Sequence, residues 1–167
     1  MNLYILRHGL AAQRSASHLQ TDRRRPLTDE GEKKIRKIVR AMKAMELSFD
    51  LILTSPFLRA QQTAAIVADV MKARKRLEPA DELAVGASPK DLLARLDTRQ
   101  PHPENVLLVG HEPYLSSLMS VLLAGTPAIK MELKKGGMAK LAVTSLKPGR
   151  HATLEWFLTP KQMTLMA

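Results

Sequence analysis

The sequence predicts an α/β fold: three α/β/α layers around a mixed, mostly parallel central sheet, with helices on both faces and a C-terminal β-hairpin. Three observations carry that expectation. Short apolar runs of strand character (Leu3-Tyr4-Ile5-Leu6, Leu51-Ile52-Leu53 and Val106-Leu107-Leu108-Val109) alternate with segments of helical periodicity. Each run stops at residues suited to a turn: Arg7-His8-Gly9, Ser55-Pro56 and Gly110-His111-Glu112-Pro113. Beyond Met138 the pattern changes. Residues alternate to Leu146, Pro148-Gly149 interrupts them, and Thr153 to Leu158 resumes, as in a hairpin with a long loop. No repeat, linker or low-complexity tract intervenes, so residues 1–167 read as a single domain.

The helices have recognisable starts. Ile35, Ile38, Val39 and Met42 form one apolar face, with Lys33, Lys34, Arg36, Lys37, Arg40 and Lys43 opposite. Thr28 is placed to cap this helix, and Asp29 and Glu30 suit its positive end, so it is expected from about Asp29 to Met45. A second helix is expected after Ser55 as N-cap and Pro56 as first helical residue, running through Ala60, Ala64, Val67 and Met71. A third, short helix follows Ser88-Pro89 through Leu92, Leu93 and Leu96. The fourth follows Pro113, with Leu115, Leu118, Met119 and Leu122 as its buried stripe.

Composition narrows the function. A chain of 167 residues, 45% hydrophobic and 25% charged, is that of a globular protein with a sizeable core. It contains no cysteine, which excludes disulfides, thiolate zinc sites and cysteine-based phosphatase chemistry. The first apolar run is too short for a signal peptide or membrane span, so a cytoplasmic protein away from membranes is expected. The net charge of +10 favours an anionic partner. Nucleic acid is one such partner, but aromatics make up only 4% of the chain and no stacking platform or zinc-finger pattern is visible. A phosphorylated substrate suits the charge equally well.

In an open parallel sheet, ligands bind beyond the carboxyl ends of the strands. Two histidines and two arginines converge there. His8, freed to turn by Gly9, has the chemistry of a nucleophile that attacks phosphorus and carries the phosphoryl group. Arg59 lies in the first turn of its helix, where the macrodipole disfavours a cation; a bound phosphate reconciles the two, the alternatives being a solvent-exposed arginine or an ion pair with Asp29 or Glu32. Arg7 sits beside His8. His111 is placed either to cap the following helix or to donate to a phosphoryl oxygen. Metal binding by the two histidines ranks below these uses, because arginines flank them and no carboxylate completes a ligand set. The polar segment from Ala11 to Arg25 is expected to loop over the site, presenting Arg14 and Arg23 to Arg25 to an acidic surface.

Arg7-His8-Gly9, Arg25-Pro26-Leu27-Thr28 with Glu30-Gly31, Ser55-Pro56 through Arg59-Ala60 to Gln62-Thr63, and Val109-Gly110-His111 together resemble the histidine phosphatase superfamily. The short length, Gly110-His111-Glu112-Pro113 and Lys135-Gly136-Gly137 are most similar to its small branch of SixA-type phosphohistidine phosphatases. The resemblance implies a phosphoglycerate-mutase-like fold, His8 as nucleophile, and Arg7, Arg59 and His111 as the phosphate pocket, with no metal or organic cofactor. Arg25 is a further candidate for substrate contact. Many relatives protonate an alcohol leaving group with an acid after the second helix, and Glu82 in Asp81-Glu82-Leu83 is the candidate here. The expected function is a metal-independent phosphatase acting on phosphohistidine of a phosphotransfer or phosphocarrier protein, with a site able to hold phosphate or sulfate. The alternatives are a small-molecule phosphomonoesterase of the same superfamily, or a basic module that binds nucleic acid or polyphosphate.

Overall fold

The computed structural model describes residues 1–13, 22–147 and 149–167. Arg14 and Pro148 of the sequence expectations, and residues 14–21 of the loop expected from Ala11 to Arg25, lie outside these residues. Among the described residues six strands form one sheet: β1 (Asn2–Arg7), β2 (Leu51–Thr54), β3 (Leu77–Pro79), β4 (Asn105–Gly110), β5 (Met138–Val143) and β6 (Ala152–Leu158). Their order is β3-β2-β4-β1-β5-β6. β1, β2, β3 and β4 pair in parallel, while β5 is antiparallel to both β1 and β6. The sheet is therefore mixed and mostly parallel, as expected.

Alternation along the strands sends side chains to two cores. Leu3 and Ile5 of β1 join Leu51, Leu53, Val106 and Leu108 on one face, under helices α3 (Pro89–Asp97) and α4 (Tyr114–Ala124). Tyr4 and Leu6 join Ile52, Leu107 and Val109 on the other, under α1 (Asp29–Ala44), α2 (Leu58–Val70) and α5 (Pro160–Leu165). Three layers result. Among the described residues no helix is long and apolar enough to cross a membrane.

The helix signals act largely as read. Thr28 Oγ1 accepts from Gly31 N at 3.0 Å, and Asp29, Glu30 and Glu32 occupy the first turn of α1. Ser88 caps α3 by accepting from Lys90 N. The start of α2 differs. Ser55 is not its cap and Pro56 is not its first residue; Phe57, extended at ψ 134°, holds the N-cap position without a side-chain bond, and helix begins at Leu58. The Ser55 hydroxyl accepts from Phe57 N at 3.3 Å, one residue before the helix, and also meets His111, as described below. Besides short 3₁₀ turns at Arg74–Arg76 and Asp81–Leu83, a strand and a helix among the described residues go beyond the sequence expectations. β3 is a three-residue edge strand, too short for a period to show. α5 carries a complete capping box between Thr159 and Gln162, with Pro160 in its first turn. The first arm of the hairpin ends at Val143, three residues before Leu146.

One contact fixes how closely α1 approaches the segment after β1. Leu10 O accepts from Thr28 N at 3.0 Å, and a Cβ on Gly31 would lie 2.1 Å from that same oxygen. Only glycine fits. Gly31→Ala is expected to lower stability by about 2 kcal/mol despite alanine's better helix propensity, read as a lower urea midpoint with an unchanged m-value.

Candidate active site

Parallel pairing brings the functional side chains together. Arg7 and Gly110, the last residues of β1 and β4, are register partners, and Thr54 of β2 pairs with Val109. His8, Ser55 and His111 therefore follow three neighbouring strand ends. Two backbone bonds extend the pairing past the strands, with His8 N donating to Gly110 O and Ser55 N to Val109 O.

His8 is 5% exposed. Its Nδ1 lies 2.7 Å from Gly9 O, and a carbonyl can only accept, so Nδ1 carries the proton. Nε2 is left with its lone pair, toward which Arg59 Nε donates at 3.2 Å. Burial lowers the His8 pKa to about 3; the charges of Arg59, Arg7 and Lys135 add to this, against the opposing effect of the Gly9 bond. The imidazole is thus neutral with its nucleophilic nitrogen unprotonated. The next residue, Gly9, is tied to α2: its N–H donates to Thr63 Oγ1, which in turn donates to Arg59 O.

Arg59 is buried, 3% exposed, and stacks over Phe57 with its guanidinium carbon 5.1 Å from the ring centroid. The first turn of α2 contains no acid. The carboxylate comes from outside the helix: Arg59 Nη2 meets Asp22 Oδ2 at 3.2 Å, and Nη1 donates to Asp22 O at 2.8 Å. Asp22, rather than Asp29 or Glu32, is the partner. Its other oxygen pairs with Arg25 Nε at 2.9 Å, while Arg25 Nη1 donates to Ala12 O. Arg25 thereby joins the site through Asp22. Arg7 donates from Nη1 to Leu133 O at 2.8 Å.

His111 is 2% exposed, and its ring centroid lies 5.0 Å from that of His8. Its Nε2 is 2.7 Å from Ser55 Oγ. The helix-capping alternative is not what the side chain does; the His111 backbone carbonyl accepts from Leu115 N instead. Burial lowers its pKa to about 2, with His8, Arg59, Arg7 and Arg25 adding to the shift. Arg7 Nε and His111 Nδ1 are buried and have no hydrogen-bond partner among the described residues. Buried polar atoms are nearly always paired, and a tetrahedral oxyanion offers acceptors for N–H groups of this kind.

Glu82 lies in a short 3₁₀ turn, Asp81–Leu83, after β3. Burial raises its pKa, but its own backbone N–H and Arg95 outweigh this and hold it below the usual carboxylate value. Arg95 Nη1 donates to Glu82 Oε2 at 2.8 Å. No described contact joins Glu82 to His8 or His111. Glu112 is also engaged, accepting from Ser116 Oγ at 2.6 Å and Leu133 N at 2.9 Å. The turn at Lys135-Gly136-Gly137 closes the site from behind: Gly136 N donates to Arg7 O and His8 O, and Gly136 has φ +78°. Among the described residues no cluster of three or more His, Asp or Glu side chains is placed to hold a metal ion.

The structure thus brings together the two histidines and two arginines singled out from the sequence, with Asp22, which the sequence reading does not single out. The only signal for it is a lone carboxylate directly before Arg23-Arg24-Arg25.

The two buried imidazoles make stability depend on pH. An unfolded chain protonates them below about 6.5, whereas the folded site resists protonation down to about 3 and 2. Stability is therefore complete above pH 6.5 and falls as pH drops below it, by about 1.4 kcal/mol per unit for each histidine. Urea unfolding between pH 7 and 5 is expected to show this slope, and a His8→Asn, His111→Asn double variant to lose it.

Comparison with known proteins agrees with this geometry. The sequence family described as Histidine phosphatase superfamily (branch 1) matches residues 3–88. An uncharacterised protein of Picosynechococcus sp. is 34% identical over 95% of this chain and 94% of its own length. The phosphohistidine phosphatase SixA of Escherichia coli is 29% identical over 96% of this chain and 94% of its own. A structure of the protein histidine phosphatase SixA complexed with tungstate superposes with a TM-score of 0.79 at 28% identity, covering 96% of this chain and 98% of that one. These likenesses support phosphatase activity. The chain belongs to the histidine phosphatase superfamily, branch 1, and within it resembles the SixA-type proteins.

Proposed function

We propose that this chain is a metal-independent phosphatase that removes the phosphoryl group from phosphohistidine on a partner protein, with His8 as the covalent carrier. The observation that carries this reading is the state of His8: buried, neutral, its proton fixed on Nδ1 and its Nε2 lone pair beside Arg59. Such a nitrogen attacks phosphorus without a base to activate it.

In the reaction, a bond forms between Nε2 and phosphorus as the bond to the leaving nitrogen breaks, its electron pair passing to that nitrogen. Arg7, Arg59 and His111 stabilise the oxygens of the transferring group. Water then attacks phosphorus, the pair returns to Nε2, and phosphate departs with both of water's protons. An imidazole ring already protonated on its distal nitrogen leaves as a neutral molecule and needs no acid. A Glu82 held ionised by Arg95 fits this substrate better than an alcohol ester, which requires a donated proton. The similarity to the phosphohistidine phosphatase SixA of Escherichia coli points the same way. A phosphotransfer or phosphocarrier domain met in the cytoplasm is the partner we infer. The basic residues Arg23 to Arg25 beside the site suit its acidic, phosphorylated surface.

The test is phosphate release, in the presence of a chelator, from a phosphohistidine-bearing protein and from an aryl phosphate. Wild type is expected to act on the protein, His8→Ala to lose turnover entirely, and Arg59→Ala to lose about 10²–10³-fold in kcat. Undiminished turnover by His8→Ala refutes the mechanism. Release from the aryl phosphate alone points to a small-molecule phosphomonoesterase. Salt-sensitive binding of nucleic acid without any release leaves a binding module.

A further inference from the structure

Ser55 follows the end of β2 and is fully buried. Its main chain is held on both sides: its N–H donates to Val109 O at 3.0 Å, and its carbonyl accepts from Thr54 Oγ1 at 3.2 Å. The direction of its side chain is therefore set by the sheet. Phe57 N donates to Ser55 Oγ at 3.3 Å, a contact that uses a lone pair and leaves the hydroxyl hydrogen to be placed elsewhere. The other neighbour of Oγ among the described residues is His111 Nε2, at 2.7 Å. The His111 ring is kept neutral by burial and by the surrounding positive charge, so it has one proton to carry on either nitrogen.

The two placements differ in what they leave unpaired. With the proton on Nε2, that N–H donates to Ser55 Oγ. The buried hydroxyl hydrogen then has no acceptor among the described residues, and the Nδ1 lone pair has no donor. With the proton on Nδ1, the hydroxyl donates to Nε2, and only the Nδ1–H remains unmet. One orphan costs less than two. We propose that Ser55 is the positioning residue for His111: its hydroxyl fixes the ring as the Nδ1–H tautomer, so that the atom offered to a phosphoryl oxygen is a donor and not a lone pair. The assignment rests on the function proposed above for the use to which that donor is put, and it adds the residue that keeps His111 in the form this use requires. A lone pair facing an anionic oxygen would repel it. Both histidines then carry their proton on Nδ1, for opposite ends. In His8, Gly9 O takes the proton and leaves Nε2 to attack. In His111, Ser55 takes Nε2 and leaves the proton to donate.

Imidazole nitrogen NMR on the full chain reads the tautomer directly, with the His111 signals assigned by their loss in His111→Asn. At neutral pH the wild-type ring is expected to be protonated at Nδ1 and bare at Nε2. In Ser55→Ala this preference is expected to weaken or reverse, and the Kd for inorganic phosphate to rise about tenfold. Ser55→Cys, of nearly the same shape but a weaker donor, is expected to fall between the two. A wild-type ring protonated at Nε2 overturns the assignment. So does a Ser55→Ala ring that keeps the wild-type tautomer, or a Kd in that variant within twofold of wild type. Should Ser55→Ala fail to fold, the same two readouts in Ser55→Cys decide. Neither readout needs turnover. A chain with the Nδ1–H tautomer and a Ser55-dependent affinity for phosphate, yet without release of phosphate from any substrate, refutes the proposed function and supports the role of Ser55.

Discussion

The parallel register of β2, β4 and β1 is the constraint on which the site depends. Neighbouring parallel strands end at the same edge, so residues distant in sequence reach one place without any long side chain bridging the gap. Arg7 pairs with Gly110, and Thr54 with Val109, which sets His8, Ser55 and His111 beside one another. A slip of one residue in either pairing would turn the following side chains to the opposite face and dismantle the site. Leu3, Ile5, Leu53, Val106 and Leu108 on one side, and Tyr4, Leu6, Ile52, Leu107 and Val109 on the other, oppose such a slip, because both faces of these strands are buried.

Electrostatics then depends on burial. Two imidazoles lie within 5.0 Å of each other, among arginines, and each is kept neutral first by desolvation and then by the surrounding positive charge. The same charges that disfavour an imidazolium favour a phosphate dianion, so one arrangement suits both a neutral imidazole and an anionic ligand beside it. The backbone sets the remaining detail. Gly9 O fixes the His8 tautomer, and Gly136 N holds the carbonyl of the same residue from the other side. The orientation of the His8 ring is thus a property of the main chain.

Much of this was legible in the sequence because its physical causes are local. Strands of Leu, Ile and Val stopped by glycine or polar residues, and helices opened by Thr28 and Ser88, announce themselves within a few positions. From them follow the sheet edge and the convergence of Arg7, His8, Arg59 and His111. The start of α2 was misread because Ser55-Pro56 has the form of a cap, while its hydroxyl is drawn to His111, 56 residues away. β3 is too short to show a period, and it pairs only through its neighbour β2. Asp22 is invisible for a related reason: nothing nearby in the chain indicates that its carboxylate will reach Arg59, 37 residues further on.

Under the proposed mechanism that Asp22–Arg59 pairing has a kinetic consequence. A carboxylate beside the guanidinium is a resident rival for any phosphate that enters, so the free product is held less firmly than by an unopposed arginine. Each catalytic cycle of a phosphatase ends with inorganic phosphate in the pocket, in a medium that already contains it. A site that grips the transition state but has a carboxylate waiting to reclaim its arginine resists clogging by its own product.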